Sequence, residues 1–68
     1  MQQGEYRRAL SFAAHTAGAH PDVAAGSALY AWLLHLGGQT RIAMRVVEGA
    51  RARLPDDRVL LDTLALLT

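Results

Sequence analysis

The sequence predicts an all-α protein of four short helices folded back on one another as antiparallel hairpins. Three observations carry that prediction. Thirteen Ala, eleven Leu and seven Arg among 68 residues supply strong helix formers. Gly18 with Pro21, Gly37-Gly38, and Pro55 cut the chain into four runs of helical length. Within those runs the apolar residues return every three or four positions, which is the period of a helix and not of a strand.

The first helix is expected to open at Gly4 and to end before Gly18 and Pro21. Its apolar stripe is Tyr6, Ala9, Leu10, Ala13 and Ala17, with Arg7, Arg8, Ser11 and His15 on the solvated side. The second helix starts with Asp22 and runs to Gly37-Gly38. One of its faces is Ser27, Tyr30, Ala31 and Leu34, and the opposite face is Ala25, Ala28, Leu29, Trp32 and Leu36, with Leu33 between them. A helix that is apolar nearly all round needs neighbours on several sides, so a central position is expected for it. The third helix, from Gln39 to about Arg53, sets Ala43, Val46, Val47, Ala50 and Leu54 against Arg41, Arg45, Glu48 and Arg51. The fourth follows Asp56-Asp57. Pro-Asp before the second and fourth helices is a start signal. The Pro ring ends what precedes it, and the carboxylate can accept orphan N–H groups at the positive helix end. Connections this short fold neighbouring helices back antiparallel.

Composition excludes several function classes. A chain of 68 residues is one small domain, near the lower limit for a self-sufficient core. Seven basic and six acidic residues leave a formal charge of +1, which gives no electrostatic case for nucleic acid or an anionic membrane. Without Cys there are no disulfides, no thiol catalysis and no Cys-based zinc site. Met1 is followed by Gln-Gln-Gly-Glu and not by a secretory leader. The longest apolar run, Ala28 to Leu34, is too short to span a bilayer. All seven basic residues are Arg, a usage associated with GC-rich bacterial genomes, and a bacterial cytoplasm is favoured over a periplasm.

Sliding the chain against itself by half its length pairs Gly4 with Gly38, Arg7 with Arg41, Ala9 with Ala43, Pro21 with Pro55, Asp22 with Asp56, Ala31 with Ala65 and Leu33 with Leu67. The Gly pair falls at a turn, the Pro-Asp pairs at helix boundaries and the Ala pairs at matching helical depth. That offset, about 34 residues with two helices per unit, is the period of tetratricopeptide repeats. The segment Gly4 to Leu10 followed by Pro21-Asp22 resembles the second helix and closing Pro of such a repeat. Tyr30-Ala31, Leu34, Gly38, Ala43, Ala50 and Pro55 resemble the signature places of a complete unit, and Leu61, Leu64 and Ala65 resemble the opening helix of the next. Three positions depart from the pattern: Ser27 stands where a large apolar residue is usual, Ala31 replaces Gly, and Thr40 replaces the aromatic that Tyr6 supplies. The resemblance implies a fragment of an α-solenoid divided as 1–21 (second helix of one repeat), 22–55 (a complete repeat) and 56–68 (first helix of the next). Ala9, Ala43 and Ala50 would allow close helix approach, with Leu34, Val47 and Leu64 filling the space between. The register looks like a cut from a longer array, whose ends would seek another copy of the chain.

Candidate chemistry is sparse. His15, His20 and His35 are spaced so that no two stack as ligands on one helical face, and no metal or cofactor is expected. Asp56 and Asp57 are accounted for as helix starters, and no nucleophile triad, phosphate loop or HExxH motif occurs, so no enzymatic activity is expected. Arg41, Arg45, Arg51 and Arg53 read as a solvated face with Glu48 pairing locally to Arg45 or Arg51. The family resemblance implies a concave groove lined by the first helix of each unit, here Ala25, Ala28, Leu29, Trp32, His35 and Leu36, continuing to Asp62 and Leu66. That groove is apolar, with Trp32 either an anchor for a ligand or packed between units. Lys and Asn residues with which some family members clamp a C-terminal carboxylate are absent. The function expected is therefore a protein-interaction scaffold that receives a peptide or partner helix, with self-association through exposed ends beside it. Two alternatives stay open: a regulatory repeat segment of a bacterial regulator whose chemistry lies elsewhere in its parent chain, and a free-standing helical bundle.

Overall fold

The computed structural model describes residues 3–68. Four helices form between the breakers: α1 (Gln3–Ala19), α2 (Ala24–Leu36), α3 (Thr40–Arg53) and α4 (Arg58–Leu67). The fold class is all-α as expected, and no strand occurs among the described residues. α1 begins at Gln3, so Gly4 lies within its first turn and does not open it; residues 1 and 2 of the expected first unit lie outside the described residues.

The end of α2 shows why two glycines stand there. Gly38 has φ +86°, a left-handed conformation that costs glycine little. Its N–H donates to the His35 carbonyl at 3.0 Å, and the Gln39 N–H donates to the Leu34 carbonyl at 2.8 Å. Two of the last-turn carbonyls are thereby satisfied. Gly37 is small for a different reason. The Tyr6 hydroxyl reaches across from α1 and donates to the Leu33 carbonyl at 2.6 Å, while the Gly37 N–H donates to the same oxygen at 3.1 Å. A Cβ at position 37 would overlap the Tyr6 hydroxyl and lie 2.8 Å from its Cζ.

The connections at 20–23 and 54–57 share one geometry. The His20 N–H donates to Thr16 at 2.9 Å and the Leu54 N–H to Ala50 at 3.0 Å. Three residues on, the Val23 N–H donates to His20 at 3.0 Å and the Asp57 N–H to Leu54 at 3.2 Å. Each bond of the first connection has its counterpart in the second, at the same offset that pairs Pro21 with Pro55. The echo in the sequence is thus also an echo in the backbone. The caps differ. Asp57 caps α4, its carboxylate accepting from the Val59 N–H at 2.9 Å and the Leu60 N–H at 3.4 Å. Such a cap is worth about 0.5–2 kcal/mol. The N-cap of α2 is Val23, which offers no side-chain acceptor. The expectation that Asp22 starts the second helix is corrected accordingly: Asp22, like Asp56, sits one residue too early, inside the turn.

α2 packs against α1, α3 and α4; α3 packs against α4 as well, and among the described residues α1 meets α2 alone. The largely apolar surface of α2 is thus covered from three directions. The core joins Ala31 and Leu34 of α2 to Ala43, Val47 and Ala50 of α3 and to Leu60 and Leu67 of α4, with Leu10, Tyr30, Met44, Val46, Leu54 and Leu64 packed around it. Ala31 and Ala43 are fully buried, which lets α2 and α3 run close together. Ala9, expected to play the same part, is only half-buried. At the α1–α2 crossing Gly26 performs that service: a Cβ there would sit 3.4 Å from Thr16 Cγ2 and 3.5 Å from Ala17 Cα.

Tyr6 and Gly37 are predicted to be energetically coupled. Gly37→Ala should destabilise the protein by about 1–3 kcal/mol through overpacking, and Tyr6→Phe by about 0.5–1.5 kcal/mol through loss of the hydrogen bond. Urea unfolding of both single variants and the double variant checks this. Coupling requires a double-variant cost that differs from the sum of the singles by about 0.5 kcal/mol or more; strict additivity would mean that Tyr6 does not rest on Gly37.

Candidate partner-binding groove

The side of α2 left open by its three neighbours carries the apolar strip expected of a groove. Helical spacing places Ala25, Ala28, Leu29, Trp32 and Leu36 along it. Ala25, Leu29, Trp32 and Leu36 are exposed, and Ala28 is half-buried. Trp32 keeps 37 % of its surface accessible, so packing covers most of the residue and leaves one part open to solvent. Its ring lies 5.5 Å from that of His35, tilted by 37°. His35 is held in turn by a 2.8 Å hydrogen bond between Nδ1 and the Thr40 hydroxyl. That bond spans the connection to α3 and fixes the imidazole beside Trp32.

The remaining two expected residues, Asp62 and Leu66, are exposed on α4. Their positions follow from the backbone repeat, since Leu66 stands to Trp32, and Asp62 to Ala28, as Pro55 stands to Pro21. The same offset finds a residue that the sequence reading passed over. Val59 is the counterpart of Ala25, and it is exposed at the start of α4. Applying the offset to every groove position, and not only to those with a family signature, would have found it. Val59 and Leu66 on α4 thus repeat the strip that Ala25 and Trp32 begin on α2.

Other features stay apart from this strip. Arg41, Arg45 and Arg53 are exposed. Arg51 is half-buried and its Nε is buried without a hydrogen-bond partner, so the expected pairing with Glu48 does not engage that atom. A cavity of about 280 Å³ lies between the start of α2 and the end of α3, lined by Pro21, Ser27, Gly49, Ala50 and Arg53. It shares no residue with the strip. Among the described residues no three His, Asp or Glu side chains group closely enough to hold a metal ion, and no helix is long and apolar enough to cross a membrane. Comparison with family models, with curated proteins and with solved structures returned no match.

Exposure of Trp32 has a direct optical consequence. Since it is the only Trp, a collisional quencher such as acrylamide should reach its fluorescence readily in the folded protein. Trp32→Ala should cost about 1–2 kcal/mol of stability, below the roughly 2–5 kcal/mol expected for Leu60→Ala in the core. Emission shielded from acrylamide until the protein unfolds would refute the open strip.

Proposed function

We propose that the chain is a tetratricopeptide-like interaction module that receives an apolar peptide segment or amphipathic helix on the strip formed by α2 and α4. The observation that carries the reading is the exposure of Leu29, Trp32 and Leu36 on the helix that is otherwise the most heavily packed. A helix covered from three sides that still presents a Trp and two Leu to solvent has an apolar surface suited to a partner. Trp32 is the anchor, being large, stiffened by His35 and central in the strip.

The solenoid architecture rests on two supports. The turn geometry at 20–23 returns at 54–57. The packing is also open at one end, since among the described residues α1 meets only α2, whereas each helix of a closed four-helix bundle has two neighbours. The free-standing bundle therefore fits less well. Low net charge and the lack of aromatics among the arginines favour a protein or peptide ligand over nucleic acid.

Parallel selections from a library of randomised helical peptides, one on the protein and one on Trp32→Ala, test the reading. Peptides enriched on the protein should carry apolar residues at three- and four-residue spacing and shift the Trp32 emission to the blue. They should bind Trp32→Ala about tenfold more weakly, or about 1.4 kcal/mol. No enrichment, or binders indifferent to Trp32, would reject the proposal.

A further inference from the structure

The correspondence between the two halves of the chain also shows which helix faces lack the neighbour that their counterparts have. In α2, Ser27 and Ala31 are buried in the hairpin with α3. Their counterparts in α4, Leu61 and Ala65, are exposed, because no helix packs on that side of α4 among the described residues. In α3, Ala43 and Ala50 are buried and Val46 packs on the core. Their counterparts in α1 are Ala9 and Thr16, both half-buried, and Phe12, which is 70 % exposed. The same holds at a third place. Thr63 in α4 is buried, whereas its counterpart Leu29 in α2 is 48 % exposed.

These open faces are complementary. Among the described residues α4 has no helix of the α3 kind on its far side, and α1, a helix of the α3 kind packed on α2, has none of the α2 kind on its other side. We propose that the chain associates with a second copy of itself head to tail, Leu61 and Ala65 of one copy receiving Phe12 and Ala9 of the next. The contact continues the α2–α3 hairpin across the boundary between chains. It also brings α4 of one copy onto the Leu29 side of the next copy's α2, as α4 packs on α2 within the chain. Two pairs of helices advance the repeat by a whole number of units, so each added copy meets the same register. The interface is heterologous: two different patches meet, and each copy keeps one of each kind free. Growth is therefore open-ended and does not stop at a symmetric dimer. The burial of Phe12 and Leu61 drives it, by the same area-dependent effect that stabilises the internal hairpins. Leu29, one of the three residues behind the groove reading, passes into the seam on association, while Trp32, Leu36 and Leu66 stay on the open strip. Variants at Phe12 and Leu61 test the association, and Trp32→Ala tests the groove.

Light scattering across about a hundredfold dilution tests the proposal on the whole chain. The weight-average mass should rise by about twofold or more with concentration and keep rising, without a plateau at the dimer. Phe12→Asp blocks one patch and Leu61→Asp the other, at sites exposed enough for a charged residue to be accommodated. Each variant alone should stay monomeric while circular dichroism shows native helix content, and an equimolar mixture should form a one-to-one dimer and stop there. Ala65→Asp replaces Leu61→Asp if that variant unfolds. A protein that remains monomeric at every concentration overturns the proposal. So does a mixture of the two variants that fails to pair, since that would make the contact a symmetric one.

Discussion

Burial of α2 is the constraint on which the other helices depend. A helix of mostly Ala, Leu, Tyr and Trp cannot stand against water on any broad face, and three helices are arranged so that only one strip of it remains open. Small residues make this possible. Ala31 against the Ala43 region, and Gly26 against Thr16 and Ala17, bring neighbouring backbones close enough for a short chain to exclude water from its core. The polar groups freed at the end of α2 are then satisfied locally, by the Gly38 turn, the Tyr6 hydroxyl and the His35–Thr40 pair.

That arrangement links architecture to surface chemistry. Covering α2 from three directions leaves one side open, and the residues there are apolar. The α4 helix repeats only two places of that strip as exposed apolar residues, Val59 and Leu66; Asp62 stands where Ala28 does, and Thr63, in the place of Leu29, is buried. A surface built by repetition lengthens with each unit. The segment recognition proposed above would use such a strip rather than the cavity between α2 and α3, which lies elsewhere.

Much of the fold was legible from punctuation. Pro21, the Gly37-Gly38 pair and Pro55 mark the helix boundaries through local backbone physics, and local physics is what a sequence displays most directly; Gly18 does not, since α1 continues through it to Ala19 and stops only before Pro21. The cap on α4 was legible for the same reason, although it belongs to Asp57 and not to both aspartates. Asp22 misled because Pro-Asp reads as a start signal, whereas the turn after the Pro uses two residues before the helix begins. The Tyr6–Leu33 hydrogen bond was not legible. It joins residues far apart in the chain, and nothing in the local pattern says which carbonyl a phenol will find. The groove residues came from family resemblance, and the structure leaves all of them exposed or half-buried. Phe12 escaped notice because it lies off the stripe facing α2, and its exposure acquires meaning only beside that of Val46.

Native-state amide hydrogen exchange tests the central position of α2 most directly. Because among the described residues α1 is held by α2 alone while α2 is held by three helices, the amides of α1 should open at lower free energy than those of α2. The α2 core amides should exchange only through global unfolding. Equal protection across all four helices, or an α2 that opens before α1, would contradict an arrangement in which the other helices depend on α2.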